Sequence, residues 1–180
     1  MKNTSLCYIE QDDKYFLLHR TKKEKDINKG KWIGFGGKFL ENESPEECVR
    51  REVQEETGLI LDTLFYRGIV TFVFDGGEGE YMHLFTSDAF HGTPIPCDEG
   101  ETDWIKKSDI FTLPIWEGDR IFLKLLQTDC PFFSLKLCYT GDILTTAILN
   151  ENIISTDHCK TFLYPNTCNF PCFCFLASLG

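Results

Sequence analysis

Long apolar runs are absent from this chain of 180 residues. A membrane-spanning helix needs about 18 or more consecutive apolar residues, and no segment approaches that length. Residues 1–4 are not followed by the apolar core of a secretory signal peptide. We therefore expect a cytoplasmic protein of one domain, with no membrane partner.

Basic residues are scarce as well, since 18 Lys and Arg stand against 28 Asp and Glu, a formal net charge of -10. Binding to a nucleic-acid polymer requires a basic surface that neutralises phosphates, so the composition argues against such a partner. The charge is uneven, because residues 1–40 hold nine basic and five acidic residues. Their lysines could attract a polyphosphate, although for any single lysine a solvated loop residue is the more common interpretation. These lysines are Lys22, Lys23, Lys25, Lys29, Lys31 and Lys38.

Nine cysteines fall into two groups. Five are scattered singly up to Cys138, as free thiols are in a reducing cytosol. The other four lie in the last thirty residues beside His158, at spacings that fit no standard zinc site. We therefore divide the chain into a domain of residues 1–150 and an atypical Cys-rich C-terminal extension, 151–180, with no catalytic role.

A helix is predicted after Ser44. Ser44 is a suitable N-cap, Pro45 fits the first helical position, and Glu47 completes a capping box. The helix then runs to about Thr57, and Gly58 ends it because glycine adopts the left-handed conformation without strain.

Three carboxylates of this helix, Glu52, Glu55 and Glu56, are three and four residues apart and therefore share one face. Magnesium prefers such oxygen ligands together with substrate phosphates. The preceding stretch, Gly30–Lys38, is rich in glycine, so its backbone could approach a ligand closely. The pattern predicts a magnesium site, with manganese as the alternative ion, while a solvated acidic helix face is the other interpretation.

Strand-like segments occupy much of the remaining chain, and a second, strongly apolar helix is predicted over Asp119–Thr128. Such a helix must be buried, so we expect it to pack against the sheet. The predicted strands are Leu6–Glu10, Tyr15–His19, Leu64–Phe74, Tyr81–Thr86, a short strand around Trp104, Phe132–Tyr139 and Ile143–Leu149.

The segment Gly37–Leu59 is similar to the box of the Nudix hydrolase superfamily, Gly-x5-Glu-x7-Arg-Glu-U-x-Glu-Glu-x-Gly-U, in which U is aliphatic. With seven fixed residues at a background frequency of about 7% each, a chance match is on the order of one in a million or rarer. The resemblance implies an α/β protein, the Nudix alpha/beta/alpha sandwich with a mixed sheet. The matching residues are Gly37, Glu43, Arg51, Glu52, Val53, Glu55, Glu56, Gly58 and Leu59.

Roles for the box residues follow from the resemblance. Glu52, Glu55 and Glu56 would bind the metal, one of them would be the general base, and the Gly36 carbonyl would be a further ligand. Arg51 belongs to this catalytic group and would pair with Glu43. Gly37, Glu43 and Gly58 would be the structural residues of the box. Glu80 could be an extra ligand, or a solvated turn carboxylate.

Stretches outside the box resemble the MutT-type oxidised-purine nucleoside triphosphatases. This implies a small-molecule nucleotide substrate, hydrolysis of 8-oxo-dGTP to its monophosphate and pyrophosphate, and a part in nucleotide-pool sanitation and DNA repair. The expected assembly is a monomer or homodimer. The stretches are Gly30–Lys38, His83–Asp88, Gly92–Pro94, Asp98-Glu99 and Trp116.

Four residues are predicted to bind the substrate: Trp116 by stacking on the base, Asp119 at the base edge, Lys22 and Ile33. Core packing for Trp116 and a helix N-cap for Asp119 are the alternatives. The mammalian enzyme has an asparagine at the position of Ile33 and an Asp pair at Gly118-Asp119, so this chain departs from it at base-reading positions.

Two alternatives to a triphosphatase remain open. One is a Nudix pyrophosphatase acting on ADP-ribose, dinucleotide polyphosphates or another nucleoside diphosphate derivative. The other, a non-catalytic Nudix binding module, is disfavoured because degenerate modules usually lose box glutamates, and this chain retains them.

Overall fold

The computed structural model describes residues 1–22, 26–128 and 130–154. Within these ranges the chain forms eleven strands, two α-helices and a short 3-10 turn at Ile110–Thr112. In chain order the strands and helices are β1 (Lys2–Gln11), β2 (Lys14–Arg20), β3 (Trp32–Ile33), α1 (Pro45–Thr57), β4 (Leu59–Leu61), β5 (Phe65–Phe74), β6 (Glu80–Ser87), β7 (Phe90–Gly92), β8 (Gly100–Lys106), α2 (Asp119–Leu126), β9 (Phe133–Thr140), β10 (Ile143–Leu149) and β11 (Asn152–Ile154).

The main sheet is mixed. Its order is β11-β10-β9-β5-β6-β1-β2-β3, with β8 also paired to β2, while β4 and β7 form a separate two-stranded sheet. The pairs β1–β6 and β5–β9 are parallel, and the remaining neighbours are antiparallel. Backbone bridges from Phe35 and Lys38 add the glycine-rich segment to β1.

The two helices cover opposite faces of this sheet. Tyr8 of β1 points to one face, where its ring lies 5.9 Å from that of Phe122 in α2. Ile9, the next residue, points to the other face, where it packs in one buried cluster with Val49 and Val53 of α1. This alternation along a strand gives each face its own core. The predicted α/β sandwich is therefore confirmed.

Helix α1 begins and ends as its sequence predicts. The Ser44 hydroxyl accepts a hydrogen bond from the Glu47 backbone N–H (3.2 Å), and the Glu47 carboxylate accepts one from the Ser44 N–H (2.8 Å). Gly58 follows with φ 74°. Such caps contribute about 1 kcal/mol each, so they fix the position of the helix along the chain.

The short strands β3, β4, β7 and β11 were not predicted, because two or three residues are too few to show an alternating pattern. Strand β11 lies past residue 150, and the division into domain and extension stays a prediction. The cysteines from Cys159 onward, Lys23 and Lys25 lie outside the described residues. In the part of the chain that the structure describes, five cysteines are free thiols. No helix in those same ranges is long and apolar enough to cross a membrane.

Candidate active site

The glycine-rich segment lies directly against the carboxylates of α1. The Gly36 backbone N–H donates a hydrogen bond to Glu56 Oε2 at 3.1 Å. A Cβ atom on Gly37 would lie 2.4 Å from the Glu52 carboxylate. A side chain at position 37 would therefore displace the Glu52 carboxylate from its present position.

The Gly36 carbonyl faces the same way as its N–H. On either side of it, the carbonyls of Phe35 and Gly37 accept hydrogen bonds from the β1 backbone, at 2.7 and 2.9 Å. Successive carbonyls of an extended segment point to opposite sides, so that of Gly36 points away from β1 and toward Glu56.

Arg51 connects the carboxylates of the box. Its Nε and Nη2 atoms donate to the two oxygens of Glu43 at 2.7 and 2.9 Å. Its Nη1 atom donates to Glu52 (2.8 Å) and Glu55 (3.1 Å), and Nη2 reaches the Lys38 carbonyl at 3.2 Å. One guanidinium therefore holds three carboxylates and ties α1 to the glycine-rich segment.

This ion-pair network offsets the repulsion among the glutamates. Hydrogen bonds from Arg51 lower the pKa of Glu43 to about 2. The same hydrogen bonds to Glu43 raise the pKa of Arg51. Two-pronged pairing of an arginine with a carboxylate is among the stronger charged hydrogen bonds in proteins. Glu43 and Arg51 are thus both charged at neutral pH.

The donor set of this face fits a hard divalent cation, because it consists of carboxylate oxygens and one carbonyl oxygen. In the arrangement described, Glu52 and Glu55 turn to Arg51 while Glu56 turns to Gly36. Within the described ranges, no three His, Cys, Asp or Glu side chains are gathered as a metal cluster. Binding one ion through all three glutamates would require Glu52 and Glu55 to rotate away from Arg51.

A pocket of about 410 Å³ opens on the α2 face of the sheet. Phe72 and Phe74 of β5 and Trp116 give it aromatic walls, and Asp119 places a carboxyl in it. Ligand pockets commonly combine an apolar lining with a few polar groups that fix orientation. The full lining is Lys2, Leu6, Ile27, Asn28, Ile33, Phe72, Phe74, Gly77, Glu78, Glu80, Met82, Trp116 and Asp119.

The pocket and the acidic helix are joined by one short segment. Ile33 lines the pocket, and Gly36 and Gly37, three and four residues later, contact the glutamates of α1. Four residue steps of extended chain span about 13 Å. A ligand with a flat group in the pocket could therefore extend a polyphosphate along this segment to the helix.

Trp116 belongs both to the core and to the pocket. Its side chain is 7% exposed and meets Tyr139 edge-on, with ring centroids 5.4 Å apart. Lys31 places its ammonium group 4.8 Å from the indole centroid. Trp116 thus packs in the core, as the alternative expected, and also lines the pocket, while its stacking on a base stays a prediction.

Asp119 is a buried carboxyl at the start of α2. Gly118 occupies the N-cap, and no side-chain cap hydrogen bond is formed there, so the alternative interpretation of Asp119 as the cap is wrong. Burial raises the pKa of Asp119 to about 7, although Lys31 and Arg120 oppose the shift. At neutral pH this carboxyl therefore exists in both protonation states, able to accept or to donate a hydrogen bond.

The other two predicted substrate residues, Ile33 and Lys22, differ in their position relative to the pocket. Ile33 lines the pocket, whereas Lys22 donates to the Cys97 carbonyl at 2.7 Å and is outside the lining. Glu80 is half-buried and faces the pocket, where it accepts a hydrogen bond from the Thr4 hydroxyl (3.4 Å). It is therefore not a solvated turn carboxylate.

Sequence reasoning missed Asn28, Phe72, Phe74 and Met82 as pocket residues. A signal existed for the two phenylalanines, because they follow Val70 at every second position of β5 and share the face of this buried residue. Asn28 had none, since a single polar residue in a lysine-rich loop is ordinary.

Comparison with known proteins points to one family. The family model of the NUDIX domain matches residues 2–126. An oxidized purine nucleoside triphosphate hydrolase of Danio rerio is 38% identical over 131 residues, which cover 72% of this chain and 83% of the relative. The protein of that name from Mus musculus is 37% identical over 105 residues, 58% of this chain and 67% of the relative.

A solved structure supports the fold. The crystal structure of a MutT protein from Bacillus halodurans superposes with a TM-score of 0.75 at 26% sequence identity. The alignment covers 83% of this chain and 98% of the other. The similarity therefore extends over the sheet and both helices, well beyond the box.

Proposed function

Since the chain belongs to the NUDIX family, we propose that it hydrolyses nucleoside triphosphates with an oxidised purine base, converting 8-oxo-dGTP to 8-oxo-dGMP and pyrophosphate. The observation that carries this proposal is the aromatic pocket with its buried Asp119, joined by residues 33–37 to the acidic face of α1. The names of the relatives from Danio rerio and Mus musculus agree with it.

Trp116 would hold the base. Aromatic faces bind flat bases with about 1 to 3 kcal/mol each, and Phe72 and Phe74 add apolar surface around the same space. Asp119 would face the base edge. A buried carboxyl that lacks a capping partner is well placed for this, because a ligand would supply the hydrogen bonds it needs.

Nudix hydrolases generally use divalent metal ions, and we assign Mg²⁺ to this chain, with Mn²⁺ as the alternative. Glu52, Glu55, Glu56 and the Gly36 carbonyl would hold the ion, since all four offer oxygen atoms on one side of the segment. When bound, such an ion neutralises phosphate charge and lowers the pKa of a bound water.

The protein's own contribution is positioning and proton transfer. Arg51, fixed by Glu43, would keep Glu52 and Glu55 beside the metal site until both glutamates rotate from Arg51 toward the ion. The Gly36 N–H would orient Glu56. A glutamate of this face would accept the proton of the attacking water. Gly37 and Gly58 would act structurally, by leaving room for Glu52 and by ending the helix.

The cellular role that suits this activity is sanitation of the nucleotide pool in the cytoplasm. The substrate is a small molecule, so neither a nucleic-acid polymer nor a membrane is a required partner. The free cysteines in the described part of the chain are compatible with a reducing compartment. A monomer or homodimer is the proposed assembly.

A substrate panel tests the proposal. Purified protein with Mg²⁺ is incubated with 8-oxo-dGTP, dGTP, ADP-ribose and diadenosine polyphosphates, and products are separated by ion-exchange chromatography. We expect the highest kcat/KM for 8-oxo-dGTP, with its monophosphate and pyrophosphate as products. Faster cleavage of ADP-ribose than of every triphosphate would replace this proposal with the pyrophosphatase alternative.

A further inference from the structure

We propose that Asn28 is a specificity-determining residue that selects purine bases with a carbonyl group at position 6 over those with an amino group there. Asn28 lines the pocket together with Trp116 and Asp119. The inference rests on the proposed function, because it assumes that a purine nucleotide occupies this pocket.

The orientation of the Asn28 amide is fixed by Trp116. The indole Nε1–H donates to Asn28 Oδ1 at 2.8 Å. An indole nitrogen only donates hydrogen bonds, so the atom of Asn28 that meets it must be the oxygen. The amide NH₂ group is therefore the part of Asn28 left for other partners.

Within the described residues, the NH₂ group has no hydrogen-bond partner. Across residues 1–22, 26–128 and 130–154, the Asn28 amide nitrogen donates no hydrogen bond. Ile33, which lines the same pocket, has no polar side-chain atom. Asn28 thus carries the one side-chain amide among the described lining residues, and it presents donors to the pocket.

The turn that carries Asn28 is held in place. The Asn28 backbone N–H donates to Asp26 Oδ1 (3.0 Å), and Arg20 pairs with the other oxygen of Asp26 at 2.7 Å through both Nε and Nη2. Glu99 holds Arg20 from the opposite side. Asp26 and Arg20 are mostly buried, with 8% and 13% side-chain exposure. A donor fixed in this way discriminates well, because little ordering cost remains at binding.

Asp119 supplies the complementary group. Its backbone N–H bonds to the Trp116 carbonyl (3.1 Å), so both Asp119 and Asn28 are attached to the residue that would stack on the base. A 6-oxopurine places an N–H donor beside a carbonyl acceptor on its outer edge, and a 6-aminopurine places an acceptor beside a donor. The carboxylate of Asp119 and the NH₂ of Asn28 match the first pattern and oppose the second.

The test compares dITP with dATP, whose bases differ at position 6 and in the resulting N1 protonation. Wild type should have a kcat/KM about tenfold higher for dITP. The change Asn28→Asp keeps an oxygen for Trp116 Nε1–H but replaces the donors by acceptors. We expect it to lower the dITP/dATP ratio of kcat/KM at least about tenfold, mainly through KM, with kcat for the better substrate retained.

A second variant separates base reading from the support of Trp116. Asn28→Ala removes both the oxygen and the donors, so KM should rise for both nucleotides and the ratio should fall toward one. As a matched control, Asn152→Asp introduces the same charge on the edge strand β11, where we expect no change in the ratio. A wild-type preference for dATP, or an unchanged ratio in Asn28→Asp and Asn28→Ala, would overturn the assignment of Asn28.

Failure of the proposed function gives a different result. If wild type hydrolyses neither dITP nor dATP but cleaves a nucleoside diphosphate derivative, the proposed triphosphatase function fails, and the assignment of Asn28 fails with it. If wild type cleaves both triphosphates and the Asn28 variants keep its ratio, only the role of Asn28 is wrong.

Discussion

The two faces of the sheet differ in how their functional groups are brought together. On the α1 face, Glu43, Arg51, Glu52, Glu55 and Glu56 come from fourteen consecutive positions, and the Arg51 guanidinium pairs with Glu43, Glu52 and Glu55. On the α2 face, the pocket gathers side chains from β1, β5, β6, the 26–33 segment and the start of α2. The comparison teaches that reaction chemistry can be encoded locally, whereas the choice of substrate depends on the tertiary fold.

The change with the largest expected effect removes one carboxylate from the α1 face. Glu56→Gln should reduce kcat by on the order of 10²- to 10³-fold, because it removes a charge from the reacting face. The fold should persist, since the glutamine oxygen can still accept from the Gly36 N–H. Steady-state kinetics measures kcat, and a melting curve shows whether the fold persists. Glu46→Gln, an exposed carboxylate of the same helix, is the control. Near-normal turnover by Glu56→Gln would remove this residue from the proposed site.

A smaller loss of activity is expected when the hydrogen bonds from Arg51 to the carboxylates are weakened. Arg51→Lys keeps the charge but cannot pair with both oxygens of Glu43, so the glutamates lose their fixed positions. We expect kcat/KM to fall about 10- to 100-fold, as for other residues that orient a metal site. Arg50→Lys, at the neighbouring exposed position, should change activity less than about twofold. Equal effects of the two changes would show that Arg51 has no special positioning role.

On the α2 face, we expect loss of an aromatic side chain to change KM rather than kcat. Trp116→Ala should raise KM for 8-oxo-dGTP by about 5- to 100-fold, because a stacking contact of 1 to 3 kcal/mol is lost. The kcat should stay within about threefold. Trp104→Ala is the matched control, since Trp104 is an aromatic residue that stacks on Phe16 in the α1-side core. If both variants raise KM alike, general destabilisation rather than base stacking explains the effect.

The smallest effect concerns stability. The folded pKa of Asp119, about 7, lies above the ordinary value of 3.8, so the native state holds a proton that the unfolded state releases. Wild-type stability should therefore fall as pH rises from about 4 to 7. Asp119→Asn removes this dependence. The free energy of unfolding of Asp119→Asn minus that of wild type should therefore be about 2 to 3 kcal/mol larger at pH 8 than at pH 5.

Urea unfolding of both proteins at the two pH values measures this difference. Asp103→Asn, at an exposed position of β8, serves as the control and should show no such gain. If the free energies of unfolding of Asp119→Asn and wild type differ by the same amount at pH 5 and pH 8, Asp119 is ionised at both pH values.

The sequence predicted the α1 face in detail because its causes are local. Ser44, Glu47 and Gly58 fix the ends of the helix, and spacing alone then places Glu52, Glu55 and Glu56. The hydrogen bond from Gly36 to Glu56 needed the fold, because it depends on how the glycine-rich segment pairs with β1.

The pocket was predicted only in part, for a physical reason. Trp116, Asp119 and Ile33 carried a signal through residue type and family resemblance. Asn28 and Phe74 reach the same space only because the sheet order places β6 between β5 and β1. Burial of Asp119 without a capping partner likewise follows from tertiary packing, which no local pattern records.

The division of roles between the two faces is tested most directly by product binding in the absence of Mg²⁺. Isothermal titration of 8-oxo-dGMP into wild type, Glu56→Gln and Trp116→Ala measures the pocket without turnover. We predict a Kd for Glu56→Gln within about threefold of wild type and a Kd at least about fivefold weaker for Trp116→Ala. Loss of binding in Glu56→Gln, with Trp116→Ala unchanged, would contradict the assignment of the base to the α2 pocket.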